Sequence, residues 1–156
     1  MEREPNLNGE LMITQIETEQ LPKVWPIVRP GILDILRRSG PVDFAIADIL
    51  REVANNRSPL FVIEYREQYA GVLILRYFQE EFKPIKYLHV WAMYLTPESQ
   101  QAEDDLVAMT WNFVEQEARR FGAKYVQVIS DRKGWGRRLK KFGFEVSPFR
   151  AYRREM

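Results

Sequence analysis

Ser130-Asp131-Arg132-Lys133-Gly134-Trp135-Gly136-Arg137-Arg138-Leu139-Lys140-Lys141-Phe142-Gly143-Phe144 is the stretch on which the fold turns. It reads as a loop, a short basic amphipathic helix, a glycine stop and the start of a new strand. Trp135, Leu139 and Phe142 are spaced i, i+4 and i+7, which makes one apolar stripe. Arg137, Arg138, Lys140 and Lys141 crowd the remaining surface. Gly143 stands where a helix C-terminus favours a left-handed residue.

Upstream of this stretch, Lys124 to Ser130 is a buried-strand pattern, and residues 102–121 trace a long helix. That helix carries Val107, Trp111, Val114, Ala118 and Phe121 on one stripe, widened by Leu106 and Met109, and Gly122 ends it. Ile85 to Leu95 is apolar on both faces, as in a central strand covered on both sides. A period of two puts Tyr87, His89, Trp91, Met93 and Leu95 on one face and Leu88, Val90, Ala92 and Tyr94 on the other. Leu60 to Tyr65 and Ala70 to Phe78, separated by the polar Arg66-Glu67-Gln68, form a hairpin pattern.

Nearer the N-terminus, Leu11 to Ile16 is a first strand. Residues 21–38 are helical in pattern, but Pro26 and Pro30 each remove a helix donor, so a kink or split is expected. Asp43 to Asn55 is a second helix with Asp43 as its cap. Phe144 to Arg153, broken by Pro148, closes the chain as a last strand. The order is β-α-α-β-β-β-α-β-α-β, a mixed, layered α/β sheet in one domain over residues 1–156.

The chain has no cysteine and one histidine, which removes disulfides, thiol catalysis and Cys- or His-rich metal sites, so no metal site is expected. Residues 1–10 are polar with no signal-peptide core, and no apolar run is long enough for a membrane span. The expectation is a protein of the cytoplasm with no membrane partner. The net charge of +1 hides a division. Residues 119–156 hold 12 Lys+Arg against three Asp+Glu, a net +9, while the other 118 residues hold 11 against 19, a net −8. The basic third suits an anionic ligand, a protein partner or a second copy of the chain.

The element order and the run Arg132-Lys133-Gly134-Trp135-Gly136-Arg137-Arg138-Leu139-Lys140 with Gly143-Phe144 resemble the GNAT superfamily of N-acyltransferases, over essentially the whole chain. With Leu21-Pro22-Lys23-Val24-Trp25-Pro26, the same run is similar to small GNAT-like proteins of bacteriophages and prophages. The resemblance implies a GNAT-like sheet with helices on both faces, acetyl-CoA as acyl donor, and a bacterial host cell or a virion as the setting. Two features depart from the active pattern. Such enzymes cradle the CoA pyrophosphate in a glycine-rich loop before the long helix. Here Thr96-Pro97-Glu98-Ser99-Gln100-Gln101-Ala102-Glu103-Asp104-Asp105 has no glycine and four acids. Many also carry a proton-donating Tyr four residues before the Gly-Phe, where this chain has Leu139.

The candidate catalytic residues are His89, which can take a proton from an amine, and Tyr94 and Tyr152, which can supply one. The strand-end carboxylates Glu64, Glu80 and Glu81 are alternative bases. Leu95, Arg132, Lys133, Trp135, Arg137 and Arg138 are the candidates for holding the acyl donor. Three functions remain open: an N-acetyltransferase acting on an amine, a non-catalytic binding or virion-associated protein of the same fold, and a nucleic-acid binder using the basic and aromatic tail Phe149 to Arg154.

Overall fold

The computed structural model describes residues 3–5, 10–38, 45–128, 139–145 and 154. Six strands form one sheet in sequence order: β1 (Arg3–Pro5), β2 (Leu11–Gln15), β3 (Leu60–Tyr65), β4 (Gln68–Gln79), β5 (Lys86–Leu95) and β6 (Tyr125–Val128). Every neighbouring pair is antiparallel except β5 and β6. A parallel pair needs a crossover, and α3 (Glu103–Phe121) supplies it. Helices α1 (Leu21–Arg38) and α2 (Ile46–Ala54) connect β2 to β3. The sheet has a core on each face. Leu11, Ile63, Leu73, Leu75 and Leu88 pack with Leu106, Val107, Trp111 and Val114 of α3. On the other face Leu60, Val72, Ile74 and Ala92 pack with Val28 and Ile32 of α1 and Ile49 and Val53 of α2.

This is the mixed α/β sheet with helices on both faces that the pattern implies, with three local differences. Strand β1 was not expected in a polar leader; it pairs Arg3, Glu4 and Pro5 with Thr14, Ile13 and Met12. Helix α1 is continuous through Pro26 and Pro30, where a kink or split was expected; the helix is not split. The reason is their spacing. Pro22, Pro26 and Pro30 repeat every fourth residue on the exposed side, so the carbonyls left without donors, those of Pro22 and Pro26, lie on the solvent side. Leu21, Val28, Gly31 and Ile32 keep the inner side packed. Helix α2 begins at Ile46, with the Ala45 N–H donating to Asp48 Oδ2 at 2.7 Å; Asp43 lies outside the described residues.

The hairpin between β3 and β4 is tighter than expected. Tyr65 pairs directly with Gln68, and Arg66 and Glu67 both take positive φ, 50° and 67°. At the other end, Gly122 and Gly143 have φ of 81° and 84°, as their places after helices require. Residues 139–141 are helical, and Leu139, Phe142 and Phe144 pack into the α3-side core. The remainder of the expected basic helix, Ile129 and Ser130, and nearly all of the expected final strand lie outside the described residues.

Candidate functional site

The site starts from an irregularity in β5. Ile74 pairs with Ala92 but Leu75 pairs with Val90, so Trp91 is an extra residue on β5, a β-bulge. The insertion reverses the alternation of side chains. Leu88 and Val90 face α3, then Ala92 and Tyr94 face α1 and α2, and Met93 and Leu95 return to the α3 side. The even period expected from the sequence, with Leu88, Val90, Ala92 and Tyr94 together, is therefore corrected at Trp91. A strand apolar on both faces carries no mark of such a slip. One consequence is chemical: His89 and Tyr94, expected on opposite faces, lie on the same one.

The described pairing of β5 with β6 reaches as far as the residue before the bulge. Strand β5 pairs with β4 along its whole length, from Lys86 to Leu95. Among the described residues it pairs with β6 from Tyr87 to Val90, and β6 is described as far as Val128. Among the described residues, no strand covers that edge from Trp91 to Leu95. This leaves, among the described residues, a notch beyond the carboxyl ends of two parallel strands, which is where open α/β sheets bind ligands. Its β5 wall offers backbone N–H and C=O groups, so an extended molecule with amide groups can lie along it as an added strand. Leu95 stands at the far end of this wall. There Thr96 N–H donates to the Ala70 carbonyl at 2.8 Å, and a 3-10 turn, Pro97–Ala102, leads into α3. Ser99 Oγ is buried and donates to the Thr96 carbonyl at 2.7 Å.

Tyr94 lies over α1 at this notch. Its ring rests on Gly31, where a Cβ would collide with the ring carbons. Burial first, then Asp34 and Glu98, push the Tyr94 hydroxyl above its ordinary pKa, with Arg38 opposing. The hydroxyl is thus kept as a proton donor at neutral pH. Tyr69, beside it on β4, is pushed up to about 12 by burial and by Tyr94. The Tyr69 hydroxyl is buried with no hydrogen-bond partner.

His89 sits on the other side of the bulge, paired across the sheet with Arg76 on β4 and Gln127 on β6. Burial first, then the Arg76 charge, hold its pKa below the ordinary histidine value, and a hydrogen bond with the Gln127 backbone opposes them. The imidazole is therefore neutral at pH 7, the form a base requires. Its Nδ1 is buried and has no hydrogen-bond partner among the described residues.

Around His89 runs a row of rings that the sequence reading missed. The Arg76 guanidinium lies 4.6 Å from the Trp91 ring centroid and 4.9 Å from that of Phe78. Phe78 stacks on Tyr87 at 5.1 Å, and Tyr87 stacks on Tyr125 at 5.0 Å with 7° between planes. Tyr125 is 40% exposed. Its hydroxyl donates to Glu80 Oε1 at 3.0 Å, so Glu80 stands at the rim of the row rather than beside His89. The sequence did hold a signal: Arg76 interrupts an otherwise apolar strand.

Of the residues singled out from sequence, β5 brings His89, Tyr94 and Leu95 to one strand around the bulge. Tyr152, Arg132, Lys133, Trp135, Arg137 and Arg138 lie outside the described residues. Part of the basic excess is neutralised locally, since Arg119 pairs with Glu115 and Arg120 with Glu117. No described helix is long and apolar enough to cross a membrane.

No family model matches the sequence, and no curated protein matches it. Solved structures do match the fold. A "possible acetyltransferase" from Clostridium difficile 630 superposes with a TM-score of 0.70 at 7% identity, over 94% of this chain and 98% of that one. Ribosomal-protein-alanine N-acetyltransferase from Brucella melitensis gives 0.67 at 12%, over 94% and 99%. A "predicted acetyltransferase with acetyl-CoA" from Clostridium acetobutylicum gives 0.59 at 15%, over 92% and 96%. At these identities the likeness is one of fold: the chain has the GNAT fold, matched over 92–94% of its length.

Proposed function

We propose that this protein is a GNAT-type N-acyltransferase that moves an acetyl group from acetyl-CoA to an amine. The observation that carries the reading is the Trp91 bulge in β5, which sets His89 and Tyr94 on one face beside an edge that no described strand covers. Acetyl-CoA supplies an activated thioester carbonyl and a long amide-bearing arm. The arm lies along the edge of Trp91 to Leu95, which no described strand covers, where its amides can pair with backbone. His89 accepts the proton that the amine loses as its nitrogen joins the carbonyl carbon. Tyr94 donates the proton that the leaving thiolate takes up. Arg132, Lys133, Trp135, Arg137 and Arg138 are assigned to the phosphate and adenine end, which the turn at Pro97–Ala102 serves poorly. Glu98, Glu103, Asp104 and Asp105 place acids there, and a phosphate beside them is repelled.

The test is calorimetric titration with acetyl-CoA, followed by an acceptor screen that reads free thiol. Micromolar binding and a thiol signal lost in His89→Ala support the reading. Absence of binding at millimolar concentration overturns it.

The acidic, glycine-free connection favours a second reading, in which the fold has been retained as a binding or virion-associated protein without catalysis. Its partner is then a protein or a second copy meeting the basic C-terminal third. It predicts that the protein elutes with a partner or as an oligomer and gives no thiol with any amine. Turnover lost in His89→Ala with folding intact refutes it.

A further inference from the structure

Arg76 is charged, half-buried and, among the described residues, without an acidic partner. Its described contacts are the faces of Trp91 and Phe78, and no carboxylate pairs with it among the described residues. Taking a guanidinium partly out of water without an anion is costly, and its five N–H donors suit a carboxylate with two parallel bonds. Directly across the ladder stands His89, with the buried Nδ1 that has no hydrogen-bond partner among the described residues. Side chains at directly opposed positions have Cβ atoms about 5 Å apart. Beyond them, Phe78, Tyr87 and Tyr125 form a stacked row on the same face of the sheet, and none of the three belongs to either core. The described face thus offers an anion receptor, an adjacent base and an aromatic platform. The carboxylate at the end of the row, Glu80, is held by Tyr125.

We propose that the ligand of this face is a free α-amino acid with an aromatic side chain. Its carboxylate sits on Arg76, its amine beside His89 and its ring on the row from Phe78 to Tyr125. The spacing is the argument. In an α-amino acid the carboxylate and the amine are borne on one carbon, matching two receptors on opposed residues of adjacent strands. A polyamine or an amino sugar finds here a cation and no nearby carboxylate. A peptide N-terminus brings an amine with no adjacent carboxylate.

The transfer step rests on the acyltransferase reading. The amine nitrogen bonds to the acetyl carbon, the carbon–sulfur bond breaks, His89 takes the amine proton, and the leaving thiolate takes a proton from the Tyr94 hydroxyl and departs as thiol. The binding of the amino acid does not depend on that step.

The experiment is calorimetric titration of the full chain, without acetyl-CoA, by L-phenylalanine, L-phenylalaninamide, phenethylamine and L-lysine. Phenylalanine is expected to bind about 10- to 100-fold more tightly than the amide and phenethylamine, the range of a charge-assisted hydrogen bond. In Arg76→Gln, with the circular dichroism spectrum retained, that preference collapses towards unity. Phe78→Ala separately reduces the preference for phenylalanine over alanine. Equal affinity for phenylalanine and phenethylamine, lysine preferred over phenylalanine, or no binding at millimolar concentration each overturns the proposal. If phenylalanine binds but is not acetylated, the ligand assignment stands and the acyltransferase reading fails. If another amine is acetylated and phenylalanine does not bind, the reverse holds.

Discussion

Gly31→Ala gives the sharpest test of how the notch is built. Gly31 is buried inside α1, with the Tyr94 ring lying against it. A Cβ there falls 2.9 Å from Tyr94 Cγ and nearer still to Cδ1 and Cε1. Two effects oppose each other. Alanine is a better residue than glycine inside a helix by about 1 kcal/mol. Forcing a methyl into an occupied space costs about 1–3 kcal/mol. The net in the native background is a loss of about 0–2 kcal/mol, with the Tyr94 ring driven off α1. In a Tyr94→Ala background the obstacle is gone, and the same substitution gains about 1 kcal/mol. Urea unfolding of the four proteins in the double-mutant cycle should therefore give a coupling of about 1–3 kcal/mol between positions 31 and 94. A coupling below about 0.5 kcal/mol, the limit of ordinary additivity, would refute the close approach of helix and tyrosine.

Three further outcomes follow. Because the His89 pKa is depressed in the fold, its unfolded form binds protons first: its contribution to stability is intact above the ordinary value of 6.5 and is lost as pH falls through the folded value. The fall in stability below that pH, followed by urea midpoints, should be shallower in His89→Gln, and an unchanged slope contradicts the burial of the imidazole. Glu67→Gly should raise stability by about 1 kcal/mol, because Glu67 holds a left-handed conformation, φ 67°, in a two-residue hairpin turn that favours glycine; thermal unfolding reads it, and a lowered midpoint argues against that turn. Leu73→Ala should cost about 2–5 kcal/mol, since Leu73 is fully buried between β4 and the α3-side core, and a loss under about 1 kcal/mol would place that core elsewhere.

The layers of the fold were legible because periodicity reports burial. The stripe from Val107 to Ala118 and the runs of β3, β4 and β5 all became the elements they resemble. What periodicity did not report was register. Trp91 is one apolar residue among many in β5, and nothing local distinguishes an inserted residue from a paired one; only the ladder to β4 shows it. Pro26 and Pro30 argued for a broken helix because each proline was weighed alone, whereas their common spacing with Pro22 puts every orphaned carbonyl in water. For the site, His89 and Tyr94 were visible as residue types with suitable chemistry. Their sharing a face followed from the bulge and was not visible. Arg76 and the row from Phe78 to Tyr125 were hidden because their chemistry lies in pairings between three strands, two of them distant in sequence.

The central claim is that an acyl donor lies along β5 from Trp91 to Leu95, and hydrogen exchange reads that edge directly. Amide exchange should be followed for Trp91 to Leu95 with and without acetyl-CoA. The account predicts that exchange within this segment slows on binding while β2 and β3 stay unchanged, and that Arg132→Ala weakens the effect. Protection that appears elsewhere, or none at millimolar acetyl-CoA, contradicts it.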